Sequence, residues 1–452
     1  MLSEKSSDHS DKLDAREPYA ATAEINHSSV EPVVEIFKGS NQTPLVDGGT
    51  RAWLQVVGSF LVFSNIWGIT FAFGSFQTFY QLEYLRSQTP SNISWIGTVS
   101  AFLLIIIGVF TGPLFDLGYF KTLLITGAIL ETLGVFLLSL SSKYYQIMLC
   151  QGMLIGIGNG CLYLPGLALV GRSFRERRSI AMAITSCGAP VGGIAFTLAF
   201  EHLINPLGFA WTVRVIGFIV LASYLVAFPL LLWGVSNLGD LASGTKRKLF
   251  DKTALRDLPF LSFSFSNMFM FMGYMSPFIY IAPFGKTQLG LSQTNALNMI
   301  VIAQATSVVG RMVCGYIAAK VGVMLPWVIC GISSGVLCIG WIGIESQSTL
   351  VVFAALYGAL SGALIPLPPS IFPVVCPNPK VLGTRLGMAQ SFGAVGSLIG
   401  APIAGALISV NGGHSGYLGL QLFSGLVMVV GGLILIWLWI LLIRSRNLGI
   451  WL

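Results

Sequence analysis

Twelve stretches of this sequence stay apolar for about 20 residues or more, near 53–78, 95–115, 121–141, 146–169, 179–200, 212–234, 260–282, 295–318, 323–343, 350–372, 386–408 and 418–442. About 20 residues at 1.5 Å each is the length a helix needs to cross the ~30 Å hydrocarbon layer of a bilayer. Of the 452 residues, 54% are hydrophobic and 10% charged, whereas a soluble domain carries about 25% charged residues. The pattern predicts an all-α integral membrane protein with twelve transmembrane helices. Glycine is abundant, at 52 residues, which suits helices that approach closely within lipid. The net charge of +7 comes from bases in short loops, with no basic stripe interleaved with aromatics, so nucleic acid is not an expected partner. Six of the seven cysteines fall in apolar runs, all but Cys376, and none forms a C-x-x-C. They read as small buried hydrophobes, and neither a metal site nor a cofactor is expected.

The runs divide the chain. Residues 1–46 form a polar, acidic segment without the basic-then-apolar start of a cleavable signal, and read as a disordered cytosolic tail. Residues 47–234 hold six runs and 260–443 six more. A basic segment at 235–259, with Lys246, Arg247, Lys248, Lys252 and Arg256, lies between them, and 444–452 form a short tail. With the N-terminus inside, one face collects Lys121, Arg172, Arg175, Arg177, Arg178, the central cluster, Lys320, Lys380, Arg385, Arg444 and Arg446. The other face receives Arg86, Lys143 and Lys286. The positive-inside rule then places both termini in the cytosol, most naturally at the plasma membrane. Of the sequons at Asn26, Asn41 and Asn92, only Asn92 faces outward, at the very start of the second run.

The two sets of six runs are related. Gly118 and Gly127 recur as Gly322 and Gly331, S-C-G-A at 186–189 recurs as S-F-G-A at 391–394, and Gly152 and Gly156 recur as Gly358 and Gly362. The spacings fall between 204 and 206 residues. Two parallel repeats of six helices, with a binding site between them at mid-membrane, describe a major-facilitator-type secondary transporter of two pseudo-symmetric bundles.

The stretch DGGTRAW, 47–53, opens the first run. Asp47 can cap a helix and favours its positive dipole end, Gly48 and Gly49 let the chain turn, Arg51 belongs on the cytosolic face and Trp53 at the headgroups. The stretch also resembles the opening motif of the monocarboxylate-transporter family of the major facilitator superfamily, in its fungal-type branch. In order follow FGSFQTFY (73–80), GPLFDLGYFK (112–121), QGMLIGIGNG (151–160), FRERRSIAMAITSCGAPVGG (174–193) and GRMVCGYIAAKVG (310–322). The resemblance covers roughly residues 47–450 and is specific for family rather than cargo. It implies that Asp116, in the loop between helices 2 and 3, latches one access state, and that Arg311 in helix 8 anchors an anionic substrate. Proton-coupled members carry an aspartate one turn before that arginine, where this chain has Ser307, and a lysine in helix 1, where Trp53 to Leu85 hold no Lys or Arg. The departure points away from a lactate-type proton symport.

Two ionisable residues stand well inside apolar runs, Arg311 and Glu131. An arginine at a helix centre costs ~2.5–3.5 kcal/mol on insertion scales, so it faces a cavity or a partner. Glu131 either carries a coupling proton or makes an interhelical hydrogen bond. Gly188 and Pro190 fit either a flexing helix or a tight interface. Asn65, Gln77, Asn159, Tyr163, Asn267, Tyr274, Tyr280 and Gln304 are polar candidates for lining a cavity, with Trp67 nearby. Each also fits a helix-packing hydrogen bond. Glu201 and His202 end helix 5 on the outer side, as a pH sensor or simply solvated. The functional expectation is alternating-access transport of an organic acid or other small organic metabolite. Its candidate partners are the bilayer, an anionic small organic cargo and coupling protons. Export of a secondary metabolite is the alternative, with a non-transporting sensor behind it. Four scattered histidines and short loops do not build a catalytic site, so no enzyme is expected.

Overall fold

A computed structural model describes residues 49–174, 178–232, 250–378, 381–408 and 416–446. All regular structure among them is helical. Gly49, at φ 107°, turns the chain into α1 (Thr50–Phe79), which widens into a π-turn at Tyr80–Tyr84. α2 (Pro90–Asp116) and α3 (Phe120–Leu138) follow, then α4 (Ile155–Ser173), entered through a helical turn at Tyr144–Ile147 and a π segment at Met148–Leu154. A continuous run, Arg178–Leu232, holds two crossings, because 55 residues at 1.5 Å each reach about 80 Å. Gly208, at φ 69°, breaks it into α5 (178–207) and α6 (209–232).

The second half repeats the pattern with α7 (Leu258–Gln288), α8 (Gln293–Val321), α9 (Met324–Gly340), α10 (Gln347–Gly362), α11 (Leu382–Ala406) and α12 (Leu418–Arg446). After a turn, the short helix Leu367–Val375 completes the tenth crossing. All twelve expected crossings are present. Eleven helices are long and apolar enough to span, and the one at Ile180–Leu232 is long enough to do so twice. Large apolar side chains such as Phe110, Ile129, Leu225, Val309 and Leu433 point outward, the reverse of a water-soluble surface and what a lipid-facing belt requires.

The duplication is visible as repeated contacts. Gly118 and Gly322, 204 residues apart, both take positive φ, 93° and 84°, just past the ends of α2 and α8. Gly152 and Gly156 of α4 lie against the backbone of Ile96 and Ser100 in α2, and Gly358 and Gly362 of α10 lie against Ala303 and Ser307 in α8. In α5, Gly188 and Gly192 press on the carbonyls of Phe60 and Ser64 in α1, while Gly396 and Gly400 of α11 press on those of Met268 and Met272 in α7. A bilayer supplies no hydrophobic drive between helices, so such backbone-to-backbone approach, open only to residues without a Cβ, holds each half together.

The halves meet along antiparallel pairs. Where α2 begins, Ser91 donates to the Pro402 carbonyl of α11 at 2.8 Å, and the Tyr280 hydroxyl of α7 donates toward the carbonyls of Pro90 and Ala401 at 3.3 and 3.1 Å. At the opposite end of the same pair, Gly387 of α11 faces Val109 of α2. α5 pairs with α8, and Phe71 of α1 packs on Phe278 of α7 at 5.6 Å between ring centres. The best-formed cavities leave about 10 Å³ each, room for about one water.

Arg214, which the charge reading passed over, lies with Lys143 at the face where α3 ends. Its Nε donates to Ser139 at 3.2 Å and its guanidinium covers Trp211. That face thus carries four basic side chains rather than three. Valine at Gly192 or at Gly396 is expected to cost more than the ~1–3 kcal/mol of ordinary overpacking, because its Cβ falls on backbone. Both variants are expected to lose most of their monodisperse peak in detergent gel filtration. Alanine at Gly340, which meets nothing within 4 Å, leaves the peak unchanged.

Candidate functional site

Arg311 is the side chain around which the seam is organised. It is 3% exposed, on α8, and its Nη1 donates to the Ser186 carbonyl of α5 at 2.6 Å. The contact crosses between the halves. Its Nε and Nη2 are buried without a hydrogen-bond partner, leaving two N–H groups that form the fork suited to a planar oxyanion. Tyr274 of α7 and Cys187 of α5 lie beside the guanidinium. Two turns earlier on the same face of α8, Gln304 is fully buried with both amide atoms unpartnered, and lies across from Gly193 of α5 and Phe71 of α1.

An aromatic series runs through the seam beside these polar atoms. Tyr163 of α4 meets Trp67 of α1 at 5.9 Å, Trp67 stacks on Phe71, and Phe71 meets Phe278 across the seam. Phe278 in turn contacts Tyr274 and Tyr357, each at 5.5 Å. Of the candidate cavity residues, Arg311, Tyr274 and Gln304 gather at the seam, and Tyr163 joins them through this series.

The other candidates sit elsewhere. Asn65 and Asn159 belong to a polar cluster inside the first half. Asn65 donates to the Val220 carbonyl at 3.4 Å, and Asn159 donates to the Ile66 carbonyl at 3.2 Å. Glu131, with no exposed surface, accepts a hydrogen bond from the Tyr224 hydroxyl of α6, while its second oxygen has no partner. Gly158 of α4 lies against the Glu131 backbone. Gln77 donates to the Pro90 carbonyl at 3.2 Å, near the face where α2 begins, and Asn267 pairs with Gln390 of α11 at 3.0 Å. Ser307 faces Gly362 of α10, within the second half rather than the seam.

Gly188 and Pro190 lie on the stretch of α5 that carries Ser186. Asp116 closes α2, and its side chain is outside the described residues, as are Asp47, Gly48, Arg175 and Arg177. Gly49 makes the turn expected of it, and Trp53 packs edge-on against Phe174 at 5.1 Å. Asn92 is exposed in the first turn of α2, but Ser94 of its sequon is buried and bonded to the Ser91 carbonyl. Glu201 is buried and His202 exposed, so the two do not share an environment. Among the described residues, no cluster of His, Cys, Asp and Glu could hold a metal ion.

Three functional partners escaped the sequence reading. Tyr224 gave no pattern of its own, and Ser186 stood out only as the first residue of the S-C-G-A repeat, four residues before Pro190. The third is a clamp where α7 begins. Arg385 of α11 binds Asp251 at 2.8 Å and Asp257 at 2.7 Å, and reaches Thr253 at 3.0 Å. Its signal was an acid pair flanking the Lys252–Arg256 turn, with a lone arginine opening a later helix.

A twelve-crossing helical chain in two repeated halves, with a buried cation and aromatic rings at their seam, is a membrane transporter. Residues 55–349 match the Major Facilitator Superfamily, and the chain belongs to that superfamily. It is 36% identical to the MFS-type transporter dbaD of Emericella nidulans, over 86% of each chain. It is 34% identical to the agnestins efflux protein AgnL12 of Paecilomyces divaricatus, over 89% of this chain and 90% of that one. Its identity to the aspyridones efflux protein apdF of Emericella nidulans is 33%, over 90% of this chain and 81% of that one.

The Asp251 clamp gives a pH signature. Hydrogen bonds from Thr253 and then from Arg385 pull its carboxyl from 3.8 down to about 2. A depressed carboxylate stabilises the fold fully above its unfolded value, near pH 4, and loses that contribution as pH falls through its folded value, near pH 2. Asp251→Asn is expected to melt below the wild type by a margin that is constant from neutral pH down to about pH 5 and shrinks from about pH 4 downward. Thermal scans in detergent across that range check it.

Proposed function

We propose that this protein exports an acidic secondary metabolite with a flat aromatic or conjugated body, by alternating access. The observation that carries the reading is the Arg311 guanidinium, buried at the seam with Nε and Nη2 unpartnered and aromatic rings beside it. A buried cation with a free fork fits a carboxylate or enolate oxygen, and the rings fit an apolar planar skeleton. Gln304, seven residues along α8, or about 10 Å, offers a donor and an acceptor for a second polar group on the cargo. Relatives named as efflux proteins for agnestins and aspyridones support the direction of transport. The halves 47–234 and 260–443 rock about the seam, with residues 235–259 joining them. Both termini then lie on the cytosolic side of the plasma membrane. The ordered motifs favour the monocarboxylate-porter branch as ancestry, with an altered cargo. Nothing in the reading calls for catalysis.

In proteoliposomes loaded with acidic polyketide-type compounds, efflux is expected to saturate, and lactate to compete poorly. Arg311→Ala is expected to cut efflux of the acidic compounds by roughly tenfold or more, the scale for losing a charged hydrogen-bonded anchor, at unchanged protein level in the membrane. Undiminished efflux would refute the anchor.

Glu131 is the proposed site of the coupling proton, because it is a carboxyl with no exposed surface, midway along a helix, bonded to Tyr224 through one oxygen and unpartnered at the other. Glu131→Gln should keep cargo-for-cargo exchange and lose accumulation driven by a pH gradient. A variant that still accumulates cargo on the gradient removes Glu131 from the coupling step.

A further inference from the structure

Proline has no backbone N–H, so within a helix it leaves the carbonyl four residues earlier without its donor. Pro190 therefore frees the carbonyl of Ser186 in α5. That is the atom to which Arg311 of the other half donates, at 2.6 Å. Ser186 does not satisfy its own carbonyl with its hydroxyl, which is turned to the Ala183 carbonyl instead.

The duplication supplies an internal control. Through the Ser100–Ser307 correspondence, the position matching Arg311 in α2 is Leu104, and through the matching contacts of Gly188 and Gly396, the position matching Pro190 in α11 is Leu398. The α2–α11 seam thus lacks the cation, and its own helix proline, Pro402, frees the carbonyl of Leu398 instead. On the α5–α8 seam a proline-freed carbonyl meets a cation from the other half.

We infer that Pro190 is a positioning residue that creates a resting ligand for Arg311, the Ser186 carbonyl, and that this bond holds the α5–α8 seam shut in the empty carrier. The carbonyl oxygen stands in for a cargo oxyanion. It satisfies one N–H of the guanidinium and leaves Nε and Nη2 for the arriving anion. Resting on the proposed acidic cargo, the anion then displaces the carbonyl and lets α5 part from α8. An anionic substrate would both occupy the site and release the latch. Cys187, next to Ser186 and beside the guanidinium, is a native reporter of that parting.

The test is a double-mutant cycle on the full chain without cargo. Arg311→Ala leaves the Ser186 carbonyl with no donor at all. Adding Pro190→Ala then restores the N–H of residue 190 and the intrahelical bond, so the second change is expected to raise the melting temperature of the Arg311→Ala protein. In the wild-type background the restored N–H competes with Arg311 for a carbonyl that is already answered, so the change is expected to give a smaller rise or a fall. Equal shifts in the two backgrounds would mean that the proline acts through α5 alone and would overturn the latch. The second readout uses a protein whose other six cysteines are replaced. Maleimide is expected to label Cys187 roughly tenfold or more faster after Pro190→Ala than before it, the scale of a lost hydrogen bond to a charged group. Unchanged labelling would overturn the latch too. Neither measurement needs cargo, so a failure to find an acidic substrate would leave them standing and count against the transport reading alone.

Discussion

The hydrocarbon of a bilayer offers no hydrogen bonds, and every polar atom placed in it must find its partner within the protein. The interior of this transporter is ordered by that scarcity. Where the backbone is complete, helices satisfy themselves. Where it is interrupted, as at Pro190, a carbonyl is left that something must answer, and here the answer comes from the opposite half of the molecule. Buried charge obeys the same rule. Arg311 touches a carbonyl, a tyrosine and a thiol, while Glu131 is met by a phenol.

A second consequence concerns what holds each half together. Lipid tails are as apolar as leucine, so association within a half depends on close packing rather than on escape from water. The glycine crossings of α1 with α5, α2 with α4, α7 with α11 and α8 with α10 provide it. Contacts between the halves mix crossings of this kind, Gly74 of α1 on the Phe278 carbonyl of α7 and Gly405 of α11 on the Ser91 backbone, with single hydrogen bonds from Ser91 and Tyr280 and ring contacts in the middle. Glycine crossings are concentrated within each half, while the seam adds hydrogen bonds and ring contacts to a few of them.

The fold was legible because its signal is one-dimensional. The length of an apolar run fixes a crossing, and recurring glycines fix a repeat, since Gly118 and Gly322 must occupy matching positions past their helices. Helix ends were less legible. Nothing in the sequence shows that α5 continues almost without interruption into α6, because a lone glycine at 208 reads the same whether it turns a loop or kinks a helix. The site was legible in part. Arg311 announced itself by its cost in lipid. Asn65, Asn159 and Gln77 resembled it in being polar and buried, yet each spends its donor on a nearby backbone carbonyl. Sequence gives polarity and depth, but not the azimuth about the helix axis, and azimuth separates Gln304 at the seam from Ser307 facing α10.

The Arg385 clamp bears on where the second half begins. By fastening Asp251, Thr253 and Asp257 to the first turn of α11, it makes the 252–256 turn part of the second half's rigid body. The second half as a packed unit therefore begins at Asp251 rather than at the first residue of α7. Its edge is fastened by charge at the rim, whereas the crossings inside the bilayer are fastened by backbone contact.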